Sequence, residues 1–219
     1  MTGVDDTRRG LLLRHMAAFI ILGVLLGTAG CAPWQLGAEK DVMKNGIMFK
    51  TFRENENGTK LGILVEDTVI DGWPCKKDFV VFHADWRLDE LELSRDYQRN
   101  GVFMPKGTRV FPDAAGGPGT CMFPRDMEIQ GYLVRGTGRN GFMTRFYRTG
   151  NLMLFWSKDP VEVDGVICRD SLFDGIYLHD NGRLRECVLD KQGMIGKVAY
   201  PKGTRLKMDE SGKVINRDP

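Results

Sequence analysis

The chain has 219 residues, a formal net charge of +2 at neutral pH and 42% apolar residues. That length suits one domain or a small tandem array, and a balanced charge with no basic run or stripe predicts no nucleic-acid interface. The 27 glycines are roughly twice the ~7% average once scaled to length, and their regular spread predicts turns rather than a flexible linker.

At the N-terminus, Arg8, Arg9 and Arg14 precede the apolar run Met16 to Gly30. The run is shorter than the ~20 residues a spanning helix needs, so residues 1–30 read as a secretory signal peptide. Within it, Thr28-Ala29-Gly30-Cys31 resembles the lipobox of bacterial lipoproteins. The resemblance implies cleavage before Cys31, acylation of that cysteine, and a short tether over 31–40. Ala32, and not aspartate, follows the cysteine. In Gram-negative lipoproteins that pattern implies anchoring in the outer membrane, facing the periplasm. Ordinary signal-peptidase cleavage near Gly30 or Ala32 is the alternative. Thr7-Arg8-Arg9-Gly10-Leu11-Leu12 also resembles a twin-arginine export signal, so Sec and twin-arginine export both stay open.

From residue 41 onward a mark recurs. Asp41, Asp67, Asp96, Asp126, Asp159 and Asp190 are each followed five or six residues later by glycine, at Gly46, Gly72, Gly101, Gly131, Gly165 and Gly196. A period near 30 residues indicates stacked supersecondary units, with boundaries near 41–66, 67–95, 96–125, 126–158, 159–189 and 190–219. Each unit also holds a hairpin pattern of strand-type residues around a turn. The first turn is Glu54 to Gly58, and the second, Ala84 to Trp86, has Trp86 where the fifth has Gly182 and is expected to differ. The third is a loose Ala114 to Gly119 segment, the fourth Thr149-Gly150, the fifth Asp180-Asn181-Gly182, and the sixth Asp209 to Gly212. Alternation such as Leu88, Leu91, Leu93 or Ile176, Leu178 fits half-buried strands. The segments between mark residues, such as Thr68-Val69-Ile70, also read as extended.

Distant units match each other too. Pro105-Lys106-Gly107-Thr108-Arg109 recurs as Pro201-Lys202-Gly203-Thr204-Arg205, and Phe82-His83 recurs as Leu178-His179. Cys75 and Cys168 each lie three residues after a marker glycine. A three-unit block over about 41–124 is therefore expected to have been duplicated to give 125–219. The hairpins at Phe146 to Leu152 and Tyr177 to Leu184 resemble those of MORN-like repeat families, which implies interaction or scaffold roles. The expected fold is all-β: about six tandem hairpin units forming an extended or solenoid-like antiparallel sheet stack. Stacking completes strand hydrogen bonds that a lone hairpin leaves open. A propeller is disfavoured because its blades need ~40–45 residues.

The candidate chemistry is sparse. Without Cys31, four cysteines remain, and an even count in an exported chain favours disulfides. Cys168 and Cys187 flank one hairpin, so that pair is expected, leaving Cys75 to join Cys121; free buried thiols are the alternative. Close ligand pairs such as C-x-x-C are absent, so no metal is expected. His83 and His179 hold equivalent positions and read as one copied slot before they read as acid–base chemistry. The Pro-Lys-Gly-Thr-Arg segments have the wrong order for a phosphate loop and read as turns feeding strands. The marker aspartates suit turn caps better than a calcium cage, which needs several converging ligands. Trp73, Trp86 and Trp156 read as sheet core, or as a binding face if exposed together. These features point to a membrane-anchored envelope protein that binds or scaffolds an envelope protein or glycan, with no catalytic residue and no cofactor. The competing readings are an envelope enzyme acting on glycan or peptidoglycan, and an accessory or immunity-type protein.

Overall fold

The computed structural model describes residues 38–136 and 141–218. Cys31 and the rest of the N-terminal segment lie outside the described residues. Among those described there is no helix, and 23 strands account for the regular structure. The first seven are β1 (Glu39–Lys44), β2 (Ile47–Glu54), β3 (Lys60–Leu64), β4 (Thr68–Ile70), β5 (Trp73–Cys75), β6 (Phe79–Phe82) and β7 (Leu88–Glu92). Then come β8 (Tyr97–Arg99), β9 (Val102–Met104), β10 (Arg109–Phe111), β11 (Thr120–Met122), β12 (Met127–Ile129) and β13 (Tyr132–Val134). β14 (Thr144–Phe146), β15 (Leu152–Phe155), β16 (Val161–Val163), β17 (Val166–Cys168) and β18 (Ile176–Leu178) follow. The last five are β19 (Leu184–Val188), β20 (Gly193–Ile195), β21 (Val198–Tyr200), β22 (Arg205–Met208) and β23 (Val214–Asp218).

Thirteen of these form one antiparallel sheet in the linear order β1-β2-β3-β6-β7-β10-β11-β14-β15-β18-β19-β22-β23. The other ten make five two-stranded hairpins, β4-β5, β8-β9, β12-β13, β16-β17 and β20-β21. Along the chain, after the opening run β1–β3, each side hairpin is followed by a pair of main-sheet strands. The sheet is open, with β1 and β23 as its edges; β1 is largely exposed and carries Glu39, Lys40 and Lys44, which discourages further pairing.

Both kinds of hairpin follow from their turn residues. In four side hairpins the two turn residues are Asp71-Gly72, Asn100-Gly101, Gln130-Gly131 and Asp164-Gly165, all with positive φ, as a two-residue turn matching strand twist requires. The fifth differs: Gly196 takes the first turn position, before Lys197. The Asp–Gly spacing is six residues in the last two units and five in the others, and only in the sixth does the glycine change its place in the turn. Asp67, Asp96 and Asp126 each accept a backbone N–H ten residues on, from Lys77 (2.7 Å), Lys106 (2.7 Å) and Gly136 (2.9 Å), closing the base of their side hairpin. Asp190 instead pairs with Lys202 at 3.5 Å. Asp41 and Gly46 belong to the main-sheet β1–β2 pair, turning at Asn45-Gly46.

The main hairpins share one turn. His179 donates to Arg183 O at 2.8 Å and Gly182 donates to His179 O at 2.9 Å; the same two bonds recur at Asn55, His83, Asp113, Tyr147 and Asp209. Two expectations are corrected here. The segment after Asp113 is the same closed turn and not a loose one. The turn containing Trp86 does not differ either: Trp86 adopts φ 69 in the slot that glycine fills elsewhere. A left-handed backbone costs a non-glycine residue ~1–2 kcal/mol. The indole offsets that cost by stacking on Phe52 (5.7 Å, 10° between planes), tilting against Phe82 (5.4 Å) and lying under Lys60 Nζ (5.2 Å).

The core lies between the main sheet and the row of side hairpins. From the sheet it takes Phe49, Phe82, Leu91, Phe155 and Leu206, and from the side hairpins Trp73, Met104, Val134 and Val166. Each such side chain contributes roughly 1.5–3 kcal/mol by leaving water. Backbone bonds fix the second strand of the side hairpin to the main sheet: Ser94 N to Pro74 O, Lys158 N to Leu133 O, and Asp190 N to Ile167 O, at 2.8, 2.9 and 2.9 Å.

Candidate interaction site

Three side hairpins return to the main sheet through short connections: 76–78, 105–108 and 201–204. Two connections are longer, 135–143 before β14 and 169–175 before β18. Arg135 Nη2 and Asp170 Oδ2 stand 3.6 Å apart, so these two neighbouring connections touch.

The 169–175 connection projects two apolar side chains into solvent. Phe173 is 92% exposed and Leu172 57%. The backbone beneath them is held from several sides. Arg169 N donates to Val188 O at 2.8 Å. Ser171 Oγ accepts from Phe173 N (3.0 Å) and Asp174 N (3.1 Å), and donates to Asp174 Oδ2 (3.0 Å). Asp174 binds Arg169 through one oxygen and Arg205 Nη2 through the other at 2.6 Å. Arg205 Nη1 then reaches Glu186 at 3.0 Å. Burial alone would raise the Asp174 carboxyl, but hydrogen bonds from Arg169 and Ser171 and the nearby positive charge outweigh it, so its pKa lies below the usual range. For Arg205, desolvation opposes the charged form, and its bonds to Glu186 and Asp174 prevail, raising its pKa.

Beside this loop, Trp156 faces Phe142 at 5.6 Å, and Met143 is 38% exposed. Gly175 leaves room there: a Cβ would come within 2.4 Å of Leu154 Cδ1, which would have to shift, and 3.5 Å of the indole. The same region holds polar atoms with no hydrogen-bond partner. Thr144 Oγ1, Trp156 Nε1, Ser157 Oγ and Arg169 Nε are all buried and unpartnered among the described residues. The arrangement suits docking: an apolar tip on a loop fixed by the Asp174 ion pairs with Arg169 and Arg205.

The other predicted residues are scattered. Cys168 and Cys187 form a disulfide, with Cα atoms 5.8 Å apart. The expected second bridge is corrected, because Cys75 and Cys121 are buried free thiols. The reason is register. Cys168 ends β17 and bonds Cys187, two residues before its bridge partner Leu189; Cys75 bridges Leu93, so Leu91 holds the place of Cys187 there, and Met104 holds the place of Cys168 against Cys121. Cys121 Sγ accordingly lies 3.6 Å from Met104 Sδ. Burial pushes the Cys75 thiol up to about 12 and raises that of Cys121 as well, so neither is a ready nucleophile.

His83 and His179 open turns of different hairpins, separated in the sheet by β7 through β15. His83 Nε2 lies 3.5 Å from Asp89, and His179 Nε2 lies 2.9 Å from Met208 O. The two Pro-Lys-Gly-Thr-Arg segments form matching turns into β10 and β22: Thr108 and Thr204 hydroxyls donate to Pro105 O (2.7 Å) and Pro201 O (2.8 Å). Trp73 is core, at 5.4 Å from Tyr97 and beneath Arg99. Among the described residues no group of three His, Cys, Asp or Glu side chains is placed to hold a metal ion.

Sequence reasoning missed the Leu172–Phe173 tip. Its signal was present in the spacing: Cys75 to Phe82 spans three residues fewer than Cys168 to Leu178. The chain matches no protein-family model, and no curated protein or solved structure is significantly similar to it.

Proposed function

We propose that this chain is a membrane-anchored lipoprotein of the bacterial cell envelope, exported and held by an acyl group on Cys31, acting as a non-catalytic binding or scaffolding module. Its 41–219 region is six tandem MORN-like hairpin units, made by duplication of a three-unit block. Support for the repeat comes from the shared main-hairpin turn and the matching Pro-Lys-Gly-Thr-Arg geometry. Support for export comes from the Cys168–Cys187 disulfide, a bond favoured in oxidising compartments.

The observation that carries the binding reading is the Leu172–Phe173 tip. An apolar pair held in water by a network of hydrogen bonds is pre-organised, so an envelope partner that covers it meets little ordering cost. Longer connections in repeat arrays commonly gather on the binding face. The anchor and the tip are tested separately. Metabolic labelling with a fatty acid marks the wild type and not Cys31→Ala; label retained on the variant overturns the anchor. An envelope protein or glycan that copurifies with wild type is lost with Phe173→Ser at unchanged abundance; undiminished copurification overturns the tip.

A further inference from the structure

On the solvent face of the sheet, at the opposite end of β14 from the 135–143 connection, the turns of two neighbouring hairpins enclose a groove of about 460 Å³. That size lies within the range of small-molecule sites, ~300–1,000 Å³. Its floor is a cross-strand row. Phe111 on β10 pairs with Thr120 on β11, and Thr120 pairs with Arg145 on β14. Met153 and Arg148 also line it.

The two arginines are unlike their neighbours. Arg109, Arg169, Arg183 and Arg205 each face a carboxylate within 4 Å. Arg145 and Arg148 have no carboxylate partner among the described residues. Asp113 also lines the groove, but its Oδ1 accepts Ala115 N (2.8 Å) and Gly117 N (2.9 Å) and so serves its own turn. The walls are fixed. Asn100 Nδ2 donates to Arg148 O at 3.1 Å, and Tyr147 Oη donates to Leu178 O at 2.9 Å. Gly150 packs so closely on Asn100 that a Cβ would lie 1.9 Å from its carbonyl oxygen. Two guanidinium groups with no carboxylate partner among the described residues, beside the Phe111 and Met153 side chains and the Thr120 hydroxyl, complement a negative head on an apolar body.

We propose that this groove binds a small anionic amphiphile, a carboxylate carried on an aryl or alkyl group, with Arg145 and Arg148 on the carboxylate and Phe111 and Met153 on the apolar part. The site is separate from the Leu172–Phe173 tip, and either can fail without the other.

The test is a titration of the full chain, labelled with ¹³C at methionine methyl groups, followed at Met153. The probes are 1-naphthoate and octanoate, with their neutral amides as controls. A saturable shift of the Met153 methyl with either carboxylate, and a weaker one with its amide, is expected. Naphthoate binding tighter assigns an aryl body and octanoate binding tighter an alkyl one. Arg145→Gln with Arg148→Gln should weaken binding by about tenfold or more, the loss of about 1.4 kcal/mol. Arg185→Gln, on the exposed part of β19, and Phe173→Ser should leave it unchanged. No saturable shift with either carboxylate, amides binding as well as carboxylates, or the double variant binding like wild type would each overturn the proposal.

Discussion

At position 144 a threonine fills a fully buried slot three residues before a turn opener. Val80, Val110, Ile176 and Leu206 fill the same slot in neighbouring hairpins, all buried. The Thr144 hydroxyl has no partner among the described residues, and a buried unpaired hydroxyl costs ~1–3 kcal/mol. Thr144→Val keeps the shape and removes that group, so it should stabilise the chain by about 1 kcal/mol in urea denaturation; a loss of stability would show that the hydroxyl is satisfied. Register makes an equally specific prediction for the lone thiols. Cys75 bridges Leu93 as Cys168 bridges Leu189, so Leu91, two residues before Leu93, holds the place that Cys187 holds two residues before Leu189. Leu91→Cys should therefore form a second disulfide after oxidation, seen as Cys75 protected from alkylation under denaturing conditions. The closed loop is similar in length to the native one, so the expected gain is about 3 kcal/mol, less any strain. A freely alkylated Cys75 in the oxidised variant would contradict the register.

The 169–175 connection is an element whose conformation depends on charge. Asp174 has a depressed carboxyl pKa, so the ionised form favours the folded loop. That contribution is fully present above the unfolded carboxylate value, ~3.9, and is lost as pH falls through the lower folded value. Neutral and mildly acidic conditions should leave the loop fixed, and release should come only below about pH 4. Backbone relaxation of Leu172 and Phe173 would show it, with Asp174→Asn reproducing the released state at neutral pH. A loop that becomes mobile between pH 7 and 5, or that stays rigid in Asp174→Asn, would contradict the clamp. The Cys168–Cys187 bond spans 19 residues, which corresponds to about 3 kcal/mol of chain-entropy stabilisation, and it anchors the β17 end of the same loop.

Across the whole molecule, the turns were the most legible feature. Asn-Gly and Asp-Gly pairs demand positive φ, and the structure places Asn100-Gly101 and Asp164-Gly165 in two-residue turns. The all-β class was legible for the same reason, in short alternating runs such as Leu88 to Leu93. What stayed hidden depended on packing or register. Trp86 carries no turn signal, and only its aromatic and cationic neighbours hold it in a glycine slot. Pairing Cys75 with Cys121 followed from counting, whereas the facing residue of each depends on strand alignment that counting does not supply. The side hairpins were seen as extended segments but not as a second layer over the main sheet. Phe173 was passed over because its exposure arises from a longer connection, not from its own local pattern. The groove at Arg145 was hidden because its lining joins four strands and two turns.

As proposed above, this sheet is a binding module whose contact point is the Leu172–Phe173 tip. The most direct test replaces Phe173 with a photo-crosslinking phenylalanine analogue in the full chain and irradiates living cells. A discrete crosslinked species is expected at position 173, absent when the analogue stands at exposed Val69 on β4. No adduct at 173, or the same adducts from both positions, would contradict it.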